Sequence, residues 1–381
     1  MSGGRSRSRG PRRREVLAGG LAALGAGIAC PVGGAAQAEE SESLRRLAAT
    51  KGLVYGTTIA AWQITHDPAF VALVLQQAGL VVPENDMKWR DINGGAPGKD
   101  DYTRADTVAG FAVEGGIALR GHNCLWYLRT PWWFFALPDH NTKERVLIEH
   151  IRTLVGRYRG IVHSWDVVNE PLAPNDGNSD WLREALGPGY VDLAYHVARD
   201  TDPRARLVVN EHDVELDAPE HESRRAALLD LLRRMQKAGT PVDAVGIQAH
   251  LTAVGGPPFS PAVLRRFLAD IAGLGLTIQI TELDVTDAQA PADIAVRDQL
   301  IADTYRRFLD AALDEPAVKM VVTWGLSDRH SWIVRRETNE AKWRKDGLPS
   351  RPLPFDADLR PTPAFAAMVD AFAHAPSRTP G

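Results

Sequence analysis

The sequence predicts a single-domain (β/α)8 barrel on three observations: eight short apolar runs recur along it, helix-spaced segments separate them, and no Ser/Thr/Pro-rich linker intervenes. A barrel of about 250 residues plus loops fits the 381-residue chain as one unit. The strand-like runs cover residues 53–59, 80–82, 117–120, 161–168, 206–209, 244–249, 276–281 and 320–324. Residues 161–168 show the build most clearly, being largely apolar and β-branched, with Gly160 before them and Pro171 soon after. Residues 223–238 and 261–274 carry helical spacing; the first holds Leu228, Leu229, Leu231 and Leu232 and stops at Ala238-Gly239.

In a closed parallel barrel every strand C-terminus opens on one rim, so the residues that follow each run are the candidates for chemistry. The second run leads into Pro83-Glu84-Asn85-Asp86-Met87-Lys88-Trp89. Amide, cation and indole in one turn suit a sugar, which offers hydroxyls to hydrogen-bond and flat C–H faces to stack, although a helix cap followed by a core Trp gives the same residues. The third run leads into Arg120-Gly121-His122-Asn123-Cys124-Leu125-Trp126-Tyr127. A lone His at a strand end is more often structural, but beside Trp126 it is a candidate sugar contact.

The fourth run ends Trp165-Asp166-Val167-Val168-Asn169-Glu170, and the seventh ends Thr281-Glu282-Leu283-Asp284. Glu170 and Glu282 therefore share a rim despite their separation in sequence, and two carboxylates across a cleft suit acid/base glycoside chemistry. Either glutamate alone reads equally as an acid that solvates a loop. The sixth run ends Gly246-Ile247-Gln248-Ala249-His250; alternation puts Gln248 and His250 on one side, as it does Glu282 and Asp284 on the next strand. An imidazole held by Asp284 would orient Glu282 and keep it ionised, as a nucleophile requires.

The eighth run opens on Trp324-Gly325-Leu326-Ser327-Asp328-Arg329-His330-Ser331-Trp332, two indoles near a polar rim. Residues 333–351 lack periodicity and predict an exposed loop beside the mouth. Residues 352–365 lead into a last helix that closes the barrel. The domain plan is residues 1–38 as an export signal, 39–374 as the barrel and 375–381 as a flexible tail.

Residues 1–14 are Ser-, Gly- and Arg-rich, 16–29 are small and apolar, and Ala36-Gln37-Ala38 offers a cleavage site. Arg13-Arg14-Glu15-Val16-Leu17 is similar to a twin-arginine signal, so export to the periplasm or beyond is expected. Removal of residues 1–38 takes away six arginines and one glutamate and moves the net charge from −4 to −9. The mature chain is acidic without a basic block, which argues against a nucleic-acid partner, and it has no membrane span. Cys30 leaves with the signal and Cys124 remains alone, so no intramolecular disulfide forms. No cluster of His and Cys at ligand spacing points to a metal.

With these residues assembled, the chain resembles the endo-β-1,4-xylanases of glycoside hydrolase family 10 from about residue 53 to 374. The resemblance rests on six signatures in register: Pro83 to Trp89, Arg120-Gly121-His122, Trp165 to Glu170, Gly246 to His250, Thr281 to Asp284, and Trp324-Gly325 to Ser331-Trp332. It implies Glu170 as acid/base, Glu282 as nucleophile and Asn169 as the ligand of the sugar 2-hydroxyl. It further implies that Asn85, Lys88, His122, Trp126, Gln248, His250, Trp324 and Trp332 bind xylan or xylo-oligosaccharides, with Asp284 in support, no cofactor, and a monomeric enzyme. Tyr127 stands where the family usually has histidine, Asn123-Cys124 is unusual, and Asn210-Glu211-His212 replaces a common Asn-Asp-Tyr. Arg335, Arg336, Lys342 and Arg344 are candidates to meet a glucuronic acid branch. The rivals are a β-glycanase for cellulose or mannan, a transglycosylase, and a catalytically inert glycan-binding protein.

Overall fold

A computed structural model of the chain describes residues 43–172, 180–257, 259–334 and 342–379. The described residues form nine parallel strands: β1 (Val54–Ile59), β2 (Leu80–Pro83), β3 (Ala118–Leu125), β4 (Val162–Asn169), β5 (Arg206–Glu211), β6 (Ala244–Ile247), β7 (His250–Thr252), β8 (Thr277–Thr286) and β9 (Val318–Thr323). Each pairs with its neighbour in sequence from β1 to β6; β6 then pairs with β8, β8 with β9, and β9 with β1, which closes an eight-stranded barrel. The short β7 lies beyond the end of β6 and pairs with the far end of β8, His250 opposite Asp284.

All eight predicted runs are strands, with two differences that shape the site. Runs three and seven continue as β3 to Leu125 and as β8 to Thr286, because Cys124, Leu125 and Val285 are apolar and fully buried. His122, Glu282 and Asp284 are therefore held on strands rather than on loops. The sixth run is broken at Ala249, whose φ of 63° lies in the left-handed region and ends the ladder before β7 restarts it.

Helices cover the barrel. Pro219–Ala238 ends at Gly239 with φ 75°, the glycine stop expected from sequence, and Pro261–Gly273 starts at Ser260, whose hydroxyl accepts from Val263 N. The last helix, Pro363–His374, packs against Ile294–Leu313 and closes the outer ring. Aliphatic side chains fill the space between strands and helices. The barrel interior holds a smaller apolar group of Leu80, Val82, Met320, Val322 and Trp324.

A buried ion pair also spans β3 and β4. Both terminal nitrogens of Arg120 reach Asp166 at 2.5 Å, and Arg120 Nε donates to Gln279 at 3.0 Å. Gly121 is required beside it, since a Cβ there would fall 2.1 Å from the fully buried Trp165 ring.

One expectation is corrected and another refined. The described part of the 333–351 segment is a loop with residues 345–349 exposed, as expected, but it is anchored at one point: Arg344 is buried, donates to the Asp287 carbonyl at 2.6 Å and pairs with Asp346, while Thr286 Oγ1 donates to the Lys342 carbonyl at 3.0 Å. The tail is tied down as far as Thr379, because Arg378 is buried, its N donates to the Lys51 carbonyl at 3.0 Å and its guanidinium to the Leu313 carbonyl at 2.5 Å. The signal segment lies outside the described residues, as do Arg335 and Arg336. Among the described residues no helix is long and apolar enough to cross a membrane.

Candidate active site

Glu282 projects from the second half of β8 and is 5% exposed. Its Oε1 accepts from Asn210 Nδ2 at 2.8 Å and its Oε2 from His250 Nε2 at 3.2 Å. His250 Nδ1 donates to Asp284 Oδ1 at 2.9 Å, and Trp332 Nε1 to Asp284 Oδ2 at 2.6 Å. Burial disfavours the imidazolium, but the charge and hydrogen bond of Asp284 prevail and raise His250 to about 9. Both ring nitrogens are then donors, as the two contacts require. Burial also pushes Glu282 up; the His250 hydrogen bond and the positive charges on His250 and Lys88 outweigh it and hold the carboxyl at about 2.

Glu170 follows β4 with φ 55°, a left-handed conformation uncommon outside glycine and a mark of strain at functional sites. Three uncharged donors hold its carboxyl: Trp126 Nε1 at 2.7 Å on Oε2, and Gln248 Nε2 at 2.9 Å and Asn169 Nδ2 at 3.1 Å on Oε1. Gln248 thus reaches Glu170 and His250 reaches Glu282 from the two sides of the break at Ala249.

Two amides join the carboxyls. Asn210 Nδ2 donates to Asn169 Oδ1 at 2.7 Å as well as to Glu282, and Thr281 Oγ1 donates to Asn210 Oδ1 at 2.7 Å. Gly246 makes room for this bridge, because a Cβ there would come 2.3 Å from Asn210 Oδ1. Glu170 and Glu282 therefore belong to one hydrogen-bonded constellation, 112 positions apart in the chain.

The walls come from other strand ends. Lys88 is buried, donates to Asn85 Oδ1 at 2.9 Å, and lies 5.0 Å from the Trp126 ring and 5.9 Å from the Trp324 ring. Burial lowers the Lys88 pKa, with Glu282 opposing. His122 hydrogen-bonds Asp166 at 2.8 Å and meets Trp324 edge-on at 5.1 Å. Trp332 packs on His250 at 5.1 Å. Every residue expected at the site is thus in contact with another of the set. Among the described residues, no group of three or more His, Cys, Asp or Glu side chains is arranged to hold a metal ion.

Residues 43–371 match the family described as glycosyl hydrolase family 10. The chain belongs to that family. Similar proteins include endo-1,4-beta-xylanase 3 of Hypocrea jecorina, 30% identical over 333 residues, 87% of this chain and 86% of that one. Endo-1,4-beta-xylanase A of Phanerodontia chrysosporium is 33% identical over 296 residues, 76% and 69% of the two chains. Among solved structures, native xylanase 10B from Thermotoga maritima superposes with a TM-score of 0.76 at 28% identity, covering 87% of this chain and 98% of that one. Xylanase 10B from Thermotoga petrophila in complex with xylobiose gives 0.76 at 27% identity, covering 87% and 97%.

Two residues of this family 10 hydrolase bear on the site but stood outside the expected set. Asn210 is the bridge. Glu211, fully buried, accepts from Leu172 N at 3.2 Å, His212 N at 3.0 Å and Arg224 Nη2 at 2.6 Å, and so grips the backbone two residues after Glu170. Burial raises the Glu211 pKa and Arg224 opposes it. The signal was present: Asn210-Glu211 closes the fifth strand with the same amide and carboxyl as Asn169-Glu170 closes the fourth. Of the departures from the family pattern, Tyr127 is buried in the turn Tyr127–Arg129, and His212 pairs with Asp213 at 2.9 Å.

Proposed function

We propose that the chain is an endo-1,4-β-xylanase that cleaves internal β-1,4-xylosidic bonds with retention of configuration. The observation that carries this reading is the unlike environment of two linked carboxyls. Glu282 is bonded to an imidazolium and kept ionised, whereas Glu170 is bonded to three neutral donors. One environment suits a nucleophile and the other an acid that changes charge.

In the first step Glu170 gives its proton to the glycosidic oxygen as a Glu282 oxygen bonds the anomeric carbon, and the leaving sugar departs as an alcohol. The glycosyl-enzyme is an ester of Glu282. In the second step water attacks that carbon, Glu170 takes the water proton, and Glu282 leaves as a carboxylate, so two inversions restore the configuration. Asn169 is suited to the sugar 2-hydroxyl, Asn85 and Lys88 to further hydroxyls, and Trp126, Trp324 and Trp332 to the sugar faces. No cofactor enters. The relatives named as xylanases and the neighbour solved with xylobiose support xylan as the polymer. The arginine-rich leader supports action outside the cytoplasm, where such a polymer is met.

The test is product analysis on glucuronoxylan, arabinoxylan and carboxymethylcellulose, with Glu282→Gln as control and the anomer of the first product followed by NMR. Oligosaccharides from xylan with β-configured ends are expected. Preference for the cellulose derivative overturns the substrate, an α-configured first product overturns the mechanism, and binding without new reducing ends overturns the enzyme.

A further inference from the structure

Lys342 is a cation fixed beside the cleft. Its carbonyl accepts from Thr286 Oγ1 at 3.0 Å at the end of β8, and its Nζ lies 4.6 Å from the centre of the Trp332 ring. Trp332 is the indole that bonds Asp284 and packs on His250, so Lys342 is one side chain removed from the partners of Glu282. Its positive charge acts against protonation of His250. Among the described residues no carboxylate is paired with Lys342, whereas its neighbour Arg344 is committed to Asp346 and Asp287. Of the four basic residues that the sequence offers for an acidic branch, Arg335 and Arg336 lie outside the described residues, Arg344 is thereby removed, and Lys342 has no carboxylate partner among the described residues.

Two like charges, the His250 imidazolium and the Lys342 ammonium, thus stand near one another on the wall of a cleft in an acidic protein. Asp284 answers the first, and among the described residues the second meets the Trp332 face and no carboxylate. An anion brought by the substrate would relieve that repulsion and pair with a cation whose backbone is already held.

On the reading of the enzyme as a xylanase, we propose that Lys342 is a specificity residue that binds the carboxylate of a uronic acid branch on a xylose unit lying against Trp332. The contact is a point-charge one, a Lys ammonium to a carboxylate, rather than a bidentate fork. It acts on the sugar side bonded by Glu282 and takes no part in bond breaking.

The experiment compares kcat/KM on xylo-oligosaccharides carrying one glucuronic acid branch with the same oligosaccharides after reduction of that carboxyl to a neutral alcohol. The full-length mature enzyme is expected to favour the acidic substrate by about fivefold at low salt, the scale of a partly exposed ion pair, and to lose the preference as salt is raised. Lys342→Gln should bring the ratio to near one, and Lys342→Arg should keep it. A ratio near one in the unaltered enzyme, a ratio unchanged in Lys342→Gln, or an equal fall on both substrates overturns the proposal. Failure of the unaltered enzyme on every xylan would instead overturn the xylanase reading beneath it.

Discussion

Replacing His250 by Asn should raise the acid limb of the pH profile. In the native site burial favours the protonated Glu282, and the hydrogen bond from His250 Nε2 at 3.2 Å is the strongest of the influences that reverse this and hold the carboxyl at about 2 instead of 4.5. A hydrogen bond to a charged group is worth about 1.5–3 kcal/mol. At 1.36 kcal/mol per pH unit, its removal moves the Glu282 carboxyl up by roughly one to two units, with the charge on Lys88 still in place. The unaltered enzyme should therefore keep its kcat/KM down to about pH 3, while His250→Asn begins to fall between about pH 4 and 5, each further unit costing about tenfold. His250 should lose its own proton near pH 9, which an NMR titration of the unaltered enzyme should show and one of the variant should lack. The assay is kcat/KM on an aryl β-xylobioside after a rapid jump from pH 7, so that slow acid unfolding is not read as catalysis. Identical acid limbs in two folded proteins would refute the assignment of His250 as the group that keeps Glu282 ionised.

Glu211→Ala should free the turn after Glu170 and misplace this proposed acid/base without touching Glu282, the proposed nucleophile. Hydrolysis of xylo-oligosaccharides, whose leaving group needs a proton, should fall by about tenfold to a hundredfold. A 2,4-dinitrophenyl glycoside with azide as acceptor needs neither acid nor base and should lose far less; equal losses on both would refute a positioning role. Asp166→Ala leaves Arg120 buried and unpaired in the barrel, where both partners are 0% exposed. It should cost about 3–5 kcal/mol in urea unfolding, and a loss below about 1 kcal/mol would show that water or another side chain takes the charge.

The strands were legible because a buried parallel strand is a run of apolar residues whatever it packs against. Their ends were less so. Period and composition marked 276–281 as strand, but the polar Glu282 and Asp284 concealed that β8 continues to Thr286, since what extends the strand is pairing of Asp284, Val285 and Thr286 with β7, contributed by another part of the chain. The catalytic candidates could be read for the same reason in reverse: acids and amides at the ends of apolar runs are costly to bury without partners, and in a barrel those ends meet. Asn210 escaped because an amide gains its role from two partners at once, Asn169 and Glu282, and neither lies near it in sequence. Arg344 and Lys342 are only two positions apart, yet one is neutralised by Asp287 and Asp346 and the other faces Trp332.

On the proposed route the site does not change its total charge. The negative charge begins on Glu282, passes to Glu170 when the ester forms and the proton leaves, and returns when water restores the carboxylate. At each position a set of donors is already in place: His250 and Asn210 on Glu282, and Trp126, Gln248 and Asn169 on Glu170. The solvation that water would otherwise rebuild at each step is therefore preorganised, which is where most electrostatic catalysis arises. The asymmetry of the donors also sets the direction of the second step. While Glu282 is esterified, the His250 imidazolium loses its anionic partner there and retains Asp284, so return of the carboxylate restores a charged hydrogen bond that the intermediate lacks. The imidazolium that keeps the nucleophile ionised at the start thereby also favours breakdown of the ester it forms.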